Sequence, residues 1–188
     1  MRFRISLHPE KAKFKLAYNY NYPLASAIYS FLYQGDASFA NFLHNEGFYH
    51  DGKAFKLFTF SPLFSSRRKA LKDGLIMEGK IDWFISSPKE EFVANLANGI
   101  LQQGFLAIWN TKLIVEEVEV VKPPSFERRM SLRTLSPIVI STGQVDNNGN
   151  FHKRYLSPEE PEFNPILEEN LKRKYEACYE KKPSHEGI

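Results

Sequence analysis

Polar and apolar residues alternate at the start of the chain, over residues 2–7. This alternation predicts a half-buried strand. Over residues 23–32 the apolar positions recur at helical spacing after a proline, which suits the first turn of a helix. A second short helix is predicted over 36–43, with Asp36 as its N-cap and Gly47 as its terminator.

The next apolar run, AFKLFTF at 54–60, alternates again and predicts a strand with Lys56 near its start. The basic segment SSRRKALKDG that follows predicts a loop. Beyond it, the segments LIMEG and KIDWFISS predict two paired strands around Gly79 and Lys80.

The sequence SPKE at 87–90 has the form of a capping box and predicts a helix that Gly104 closes. Strands are predicted over 105–109 and 112–121. Valines in the second of these strands break strict alternation, which predicts a bulge near Glu116 and Glu117.

The predicted order up to residue 121 is therefore β-α-β-β-α-β. This order is typical of the ferredoxin-like fold, which also underlies RNA-recognition modules, and it predicts an antiparallel sheet with both helices on one face. The prolines that follow residue 121 indicate a stiff linker. We predict an N-terminal domain at 1–121, a linker at 122–129 and a second domain at 130–188.

The second domain is predicted to begin with a strand over 132–142 that contains Pro137, and then to turn at Asn148-Gly149. A helix is predicted over 160–180. A strand, a hairpin and one helix are half of a ferredoxin-like unit. The fold class is therefore α+β, with tandem ferredoxin-like, RRM-like domains of which the second is incomplete.

Composition fits a soluble globular chain of 188 residues, 43% hydrophobic and 25% charged. A single cysteine, Cys178, argues against a disulfide framework and against a cysteine-based zinc site. No apolar run reaches the roughly 20 residues of a membrane span, and no signal peptide is evident. We expect a cytoplasmic protein without membrane partners.

Positive charge is concentrated in the first 72 residues. They carry eleven Lys/Arg and four Asp/Glu, a net charge of +7, whereas the whole chain carries +3. Such asymmetry favours a polyanionic partner, although chance variation in surface charge would also produce it.

The segment FLHNEGFYHDGKAFKLFTFS at 42–61 gathers several reactive side chains. From the residues alone, it is either an exposed loop or a catalytic loop. The histidines lack partners at metal-ligand spacing, and no phosphate-binding glycine loop or serine-hydrolase motif occurs. We therefore expect neither a metal nor a cofactor.

Five segments together resemble the CRISPR-associated endoribonucleases of the RAMP superfamily, which cut repeat RNA to make guide RNAs. They are MRFRISL, YPLASAIYSFL, FLHNEG, KAFKLFTFSPL and RTLSPIVI, and the last two are the most specific. The resemblance covers residues 1 to about 182. It implies two ferredoxin-like domains and metal-independent cleavage, in which a 2′-hydroxyl attack leaves a 2′,3′-cyclic phosphate. The family also carries a C-terminal glycine-rich loop, and no match to it is found before residue 188.

The resemblance implies catalytic roles for His44 and Tyr29, and for Lys56 with Lys53 as an alternative. Histidine suits proton transfer near neutrality, lysine stabilises phosphate charge, and tyrosine orients or donates a proton. The structural alternatives are a surface histidine, a partly buried tyrosine and an edge lysine.

Candidate contacts to RNA phosphates are basic residues of the predicted loops and of the domain junction. They are Lys53, Arg67, Arg68, Arg128, Arg129 and Arg133. The expected partner is CRISPR repeat RNA, with CRISPR effector proteins and a second copy of the chain as further candidates. The alternative function is a non-catalytic subunit that binds repeat RNA or serves a structural role in a CRISPR complex.

Overall fold

The computed structural model describes residues 1–127, 129–146 and 149–184, and these fall into two compact units. Unit 1 comprises residues 1–47 and 56–131, and unit 2 comprises residues 48–55 and 132–188. The chain therefore leaves unit 1 after Gly47 and returns to it at Lys56. The predicted N-terminal domain had contained the excursion 48–55.

Unit 1 contains seven strands and three helices among its described residues. In chain order they are β1 (Arg2–Pro9), β2 (Lys13–Leu16), α1 (Asn21–Gly35), α2 (Ala37–Asn45), β5 (Thr59–Phe60), β6 (Phe64–Leu71), β7 (Gly74–Ser86), α3 (Glu90–Gln103), β8 (Phe105–Ile108) and β9 (Thr111–Val121). The two strands between α2 and β5 are β3 (Phe48–His50) and β4 (Lys53–Phe55), and they belong to unit 2.

These strands form one antiparallel sheet, in which β7 lies beside β1 and β1 lies beside β9. Strands β5 and β6 pair with the other side of β7. The order β6-β7-β1-β9 is the ferredoxin-like order, so the predicted fold class is confirmed for this unit. The core is apolar, and Trp83, Phe31 and Phe92 are its largest fully buried side chains.

Helices α1 and α3 pack closely because two glycines allow their backbones to approach. A Cβ atom placed on Gly99 of α3 would lie 1.7 Å from the carbonyl oxygen of Phe31 on α1. One placed on Gly35 of α1 would lie 2.1 Å from the carbonyl oxygen of Asn95 on α3. Any larger residue at Gly99 or Gly35 therefore requires the helices to separate.

Several local predictions are confirmed. The carboxylate of Asp36 accepts a hydrogen bond from the N–H of Phe39 and caps α2. Gly104 ends α3 in the left-handed conformation. The register of β1 against β9 shifts between Ser6 and Leu7, which leaves Glu116 as the extra residue of the predicted bulge.

Other local predictions are wrong. The run 54–60 is not one strand, because Leu57 adopts a φ of 48° between β4 (Lys53–Phe55) and β5. The basic segment predicted as a loop is largely strand β6. The two paired strands around Gly79 are the single strand β7, in which Gly79 has a φ of 75° at a register shift. Strand β2 was not predicted.

The predicted capping box does not form. Helix α3 begins at Glu90 after Lys89, whose side chain makes no capping hydrogen bond. The hydroxyl of Ser87 instead donates to the carbonyl of Leu57, at 2.8 Å, and accepts from the N–H of Lys89, at 3.1 Å. Ser87 therefore joins the Leu57 segment to the residue that precedes α3.

Unit 2 contains two hairpins and one helix among its described residues. One hairpin pairs β3 (Phe48–His50) with β4, and the other pairs β10 (Ser141–Val145) with β11 (Phe151–Tyr155). The helix is α4 (Phe163–Tyr179). Residues 132–140, predicted as strand, have no regular structure, and Asn148 of the predicted turn lies outside the described residues. Ile140, Leu156 and Phe163 form a small apolar cluster.

The β3–β4 hairpin contacts α4 through a hydrogen bond and an ion pair. His50 Nε2 lies 2.8 Å from a carboxylate oxygen of Glu176, and Asp51 lies 3.7 Å from Arg173. Asp51 and Gly52 both have positive φ, as a two-residue type I′ turn requires. His50 is thus half-buried in unit 2.

Candidate active site

Three of the predicted catalytic residues meet in unit 1. His44 lies in the last turn of α2, and its exposed ring lies 5.2 Å from the ring of Tyr29 on α1, centroid to centroid. The two rings meet edge to face, at 80°. The Nζ atom of Lys56 donates a hydrogen bond to the backbone carbonyl of His44, at 2.8 Å.

Tyr29 is half-buried, and this burial raises the pKa of its phenol. The phenol therefore remains protonated at neutral pH and can donate a proton but not accept one. Within the described residues its hydroxyl makes no hydrogen bond, so it is free to contact a substrate.

Lys56 lies in the connection between β4 and β5, not on a strand as predicted. Its hydrogen bond to the last turn of α2 satisfies a carbonyl that the helix leaves without a partner. A lysine ammonium has three donors, so two of them remain for a phosphate. Lys56 can thus hold the end of α2 and a substrate phosphate together.

Phe58 and Ser87 support this cluster, and the sequence did not single them out. The ring of Phe58 contacts Tyr29 edge to face at 5.9 Å and stacks on the buried Phe92 at 5.0 Å. Ser87, itself buried, binds the carbonyl of Leu57 between Lys56 and Phe58. The positive φ of Leu57 had no signal in the sequence, because leucine rarely adopts it.

The other predicted RNA-binding residues do not join this cluster. Arg67 and Arg68 lie on β6, exposed, and Arg67 pairs with Glu78 at 3.1 Å. Arg129 lies exposed in unit 1 outside regular structure, while Lys53 and Arg133 are exposed residues of unit 2. Arg128 lies outside the described residues.

We expect Ser87→Ala to disturb the cluster indirectly. The change removes the hydroxyl that holds Leu57 in its left-handed conformation, at a cost of about 1–3 kcal/mol in unfolding free energy. Cleavage of RNA should also slow, since Lys56 and Phe58 flank Leu57. Chemical denaturation measures the first effect, with Ser66→Ala at an exposed serine as the control. Equal stability of the two variants would contradict this role.

No group of three or more metal-ligating side chains occurs in the described ranges. In the same ranges, no helix is both long and apolar enough to cross a membrane.

Comparison with known proteins agrees with the fold. Residues 15–119 match the family model described as CRISPR-associated protein Cas6, N-terminal, and residues 117–188 match that of the Cas6 C-terminal part. The CRISPR-associated endoribonuclease Cas6 1 of Methanocaldococcus jannaschii is 34% identical over 181 residues, which cover 95% of this chain and 68% of the relative.

Two solved structures are similar along nearly the whole chain. A CRISPR-associated protein Cas6 superposes with a TM-score of 0.77 at 34% identity, covering 98% of this chain and 73% of the other. A RAMP protein binding different RNA substrates superposes with a TM-score of 0.83 at 24% identity, covering 98% and 74%.

By its fold, this chain is an α+β protein of the ferredoxin-like class. Within that class, the chain belongs to the Cas6 family of CRISPR-associated proteins. The family resemblance expected from the sequence is therefore confirmed.

Proposed function

We propose that this chain is an endoribonuclease that cuts CRISPR repeat RNA within the precursor transcript to release guide RNAs. Membership of the Cas6 family supports the substrate and the reaction class, since the Methanocaldococcus jannaschii relative is named an endoribonuclease. The observation that carries the proposal is the contact of the His44 and Tyr29 rings beside the Lys56 ammonium.

The proposed reaction needs no metal. The 2′-hydroxyl of one nucleotide attacks the neighbouring phosphorus, the 2′-oxygen–phosphorus bond forms, and the bond from phosphorus to the 5′-oxygen breaks. One product ends in a 2′,3′-cyclic phosphate and the other begins with a 5′-hydroxyl. The 2′-hydroxyl loses one proton and the leaving 5′-oxygen gains one, so catalysis requires a base, an acid and a cation.

The environment of each side chain suggests its role. A tyrosine phenol is protonated at neutral pH, and burial raises the pKa of Tyr29 further, so we assign Tyr29 as the proton donor. His44, whose ring is exposed at the end of α2, is then the base that takes the 2′ proton. Lys56 stabilises the negative charge that accumulates on the phosphorane oxygens.

We expect Tyr29→Phe to slow single-turnover cleavage by about a hundredfold, the scale of a lost proton donor. The substituted ring can still contact His44 and Phe58, so RNA affinity should change little. Rapid-quench cleavage under saturating protein gives the rate, and filter binding gives the affinity. A wild-type rate in Tyr29→Phe would exclude the hydroxyl as the donor.

Incubation with the repeat RNA of the chain's own CRISPR locus tests the function itself. Cleavage at one position within each repeat is the expected result. Tight binding without any cut would instead favour the alternative, a non-catalytic subunit that holds repeat RNA. Failure to bind RNA at physiological salt would favour a structural role in a CRISPR complex.

We also propose that the protein acts in the cytoplasm, because precursor transcripts are made there. Two further partners belong to the proposal, CRISPR effector proteins and a second copy of the chain. Light scattering with and without RNA tests the second of these directly.

A further inference from the structure

A groove opens in unit 1 where the sheet divides. Strand β1 pairs with β7 as far as Leu7, while its pairing with β9 extends two residues further, to Pro9 opposite Leu113. Strand β2 takes the place of β1 beside the first part of β7, from Leu75 to Glu78. Between β2 and the start of β9, this division leaves a groove of about 270 Å³.

The groove is basic. Its lining includes four lysines and one glutamate, namely Lys11, Lys13, Lys15, Lys112 and Glu10. Alternation along β2 buries Phe14 and Leu16 and leaves Lys13 and Lys15 exposed. Side chains two apart on one strand lie roughly 6.7 Å from each other, so these two lysines present a spaced row of positive charge.

Part of this charge is not neutralised by the protein. Lys15 pairs with Asp73 at 2.6 Å, and Lys112 pairs with Glu10 at 3.4 Å. Within the ranges that the structure describes, Lys11 and Lys13 make no ion pair, and both are exposed. Two free ammonium groups therefore point to an anionic ligand.

The groove also offers neutral hydrogen-bond donors. Asn110 and Thr111, whose side chains carry an amide and a hydroxyl, are among its lining residues. Strand β2 pairs with β7 on one side, and in the described sheet no strand pairs with its other edge. Such an edge presents backbone N–H groups to a ligand. Backbone N–H groups, like lysine ammonium groups, donate hydrogen bonds to phosphate oxygens.

We propose that this groove binds the sugar-phosphate backbone of the RNA, at a site separate from the cluster of His44, Tyr29 and Lys56. The groove and the catalytic cluster share no residue. The inference rests on the proposed function only for the identity of the ligand as RNA. Three of the lysines in the basic segment 1–72, namely Lys11, Lys13 and Lys15, line this groove.

The test is a double variant, Lys11→Ala with Lys13→Ala, titrated against fluorescein-labelled repeat RNA at several salt concentrations. Each lost phosphate contact on single-stranded RNA lowers the slope of log K against log salt by about 0.7, so the slope should fall by about 1.4. Affinity at low salt should weaken roughly tenfold. The single-turnover cleavage rate at saturating protein should not change.

A second double variant, Lys181→Ala with Lys182→Ala, removes the same charge from exposed positions in unit 2 and is the control. Equal effects of the two double variants would overturn the proposal, because net charge alone would then explain the loss. Wild-type affinity and slope in the groove variant would also overturn it. So would unchanged RNA affinity together with lost binding of polyglutamate, which would assign the groove to an acidic protein.

Failure of the proposed activity gives a different result. A wild-type chain that binds the RNA without cutting it contradicts the endoribonuclease assignment. The binding titration still measures the contribution of the groove in that case, because it does not depend on cleavage.

Discussion

Substitution of His44 by alanine is expected to lower the single-turnover cleavage rate by about 10²- to 10⁴-fold, the range for loss of a general acid or base. The ring is exposed and contacts Tyr29 only at its edge, so the fold should survive its removal. RNA affinity should stay close to that of the wild type, since the change removes no lysine or arginine. The rate is measured with labelled repeat RNA at saturating protein.

The matched control is His152→Ala. His152 is an exposed histidine of β11 in unit 2, opposite Gln144 in the β10–β11 hairpin. Its loss should leave cleavage unchanged. If His44→Ala cut RNA as fast as the wild type, the base would have to be another residue, and the assignment of the cluster would be wrong.

The largest effect on stability is expected for Gly99→Ala. The added methyl group would lie 1.7 Å from the carbonyl oxygen and 2.5 Å from the carbonyl carbon of Phe31. These are backbone atoms of α1, so no side-chain rotation relieves the overlap and the two helices must separate. We expect a loss of about 1–3 kcal/mol in unfolding free energy, even though alanine favours helix over glycine.

Asn98→Ala is the control for Gly99→Ala, because Asn98 is an exposed position of the same helix. Alanine there should raise stability by a few tenths of a kcal/mol through its helix propensity alone. Urea denaturation of both variants checks the pair. Equal or greater stability in Gly99→Ala would show that α1 and α3 can separate without cost.

The predicted features that proved right depend on local chemistry. Asp36 caps α2 because a short acidic side chain reaches the N–H of Phe39 three residues later. Gly104 ends α3 because glycine enters the left-handed region without strain. The bulge in β9 follows from the local break in alternation.

The predictions that failed depend on contacts between distant residues. Nothing within residues 54–60 indicates the left-handed Leu57, since its carbonyl is held by Ser87, thirty residues later. Gly79 has the positive φ of a turn. Strand β6 nevertheless pairs with β7 both before and after Gly79, so this residue lies in a bulge within β7. Strand β2 is short, and its pairing with β7 rather than its own pattern defines it.

The candidate site was only partly predictable for the same reason. The family resemblance implied catalytic roles for His44, Tyr29 and Lys56, while the residues alone left structural alternatives open. The Lys56 contact with the end of α2, and the support from Phe58, follow from the turn at Leu57. The structure also assigns Lys53 and Lys56 to different units, because the β3–β4 hairpin belongs to unit 2.

The central claim is that side chains of this chain, without a metal, catalyse attack by the 2′-hydroxyl. The most direct test is cleavage of repeat RNA in EDTA, followed by analysis of the product ends, beside the same RNA with a single 2′-deoxyribose at the cut. We expect the repeat RNA to give a 2′,3′-cyclic phosphate and a 5′-hydroxyl, and the RNA with the 2′-deoxyribose to remain uncut. A 3′-hydroxyl with a 5′-phosphate, or cleavage only with added Mg²⁺, would contradict the central claim.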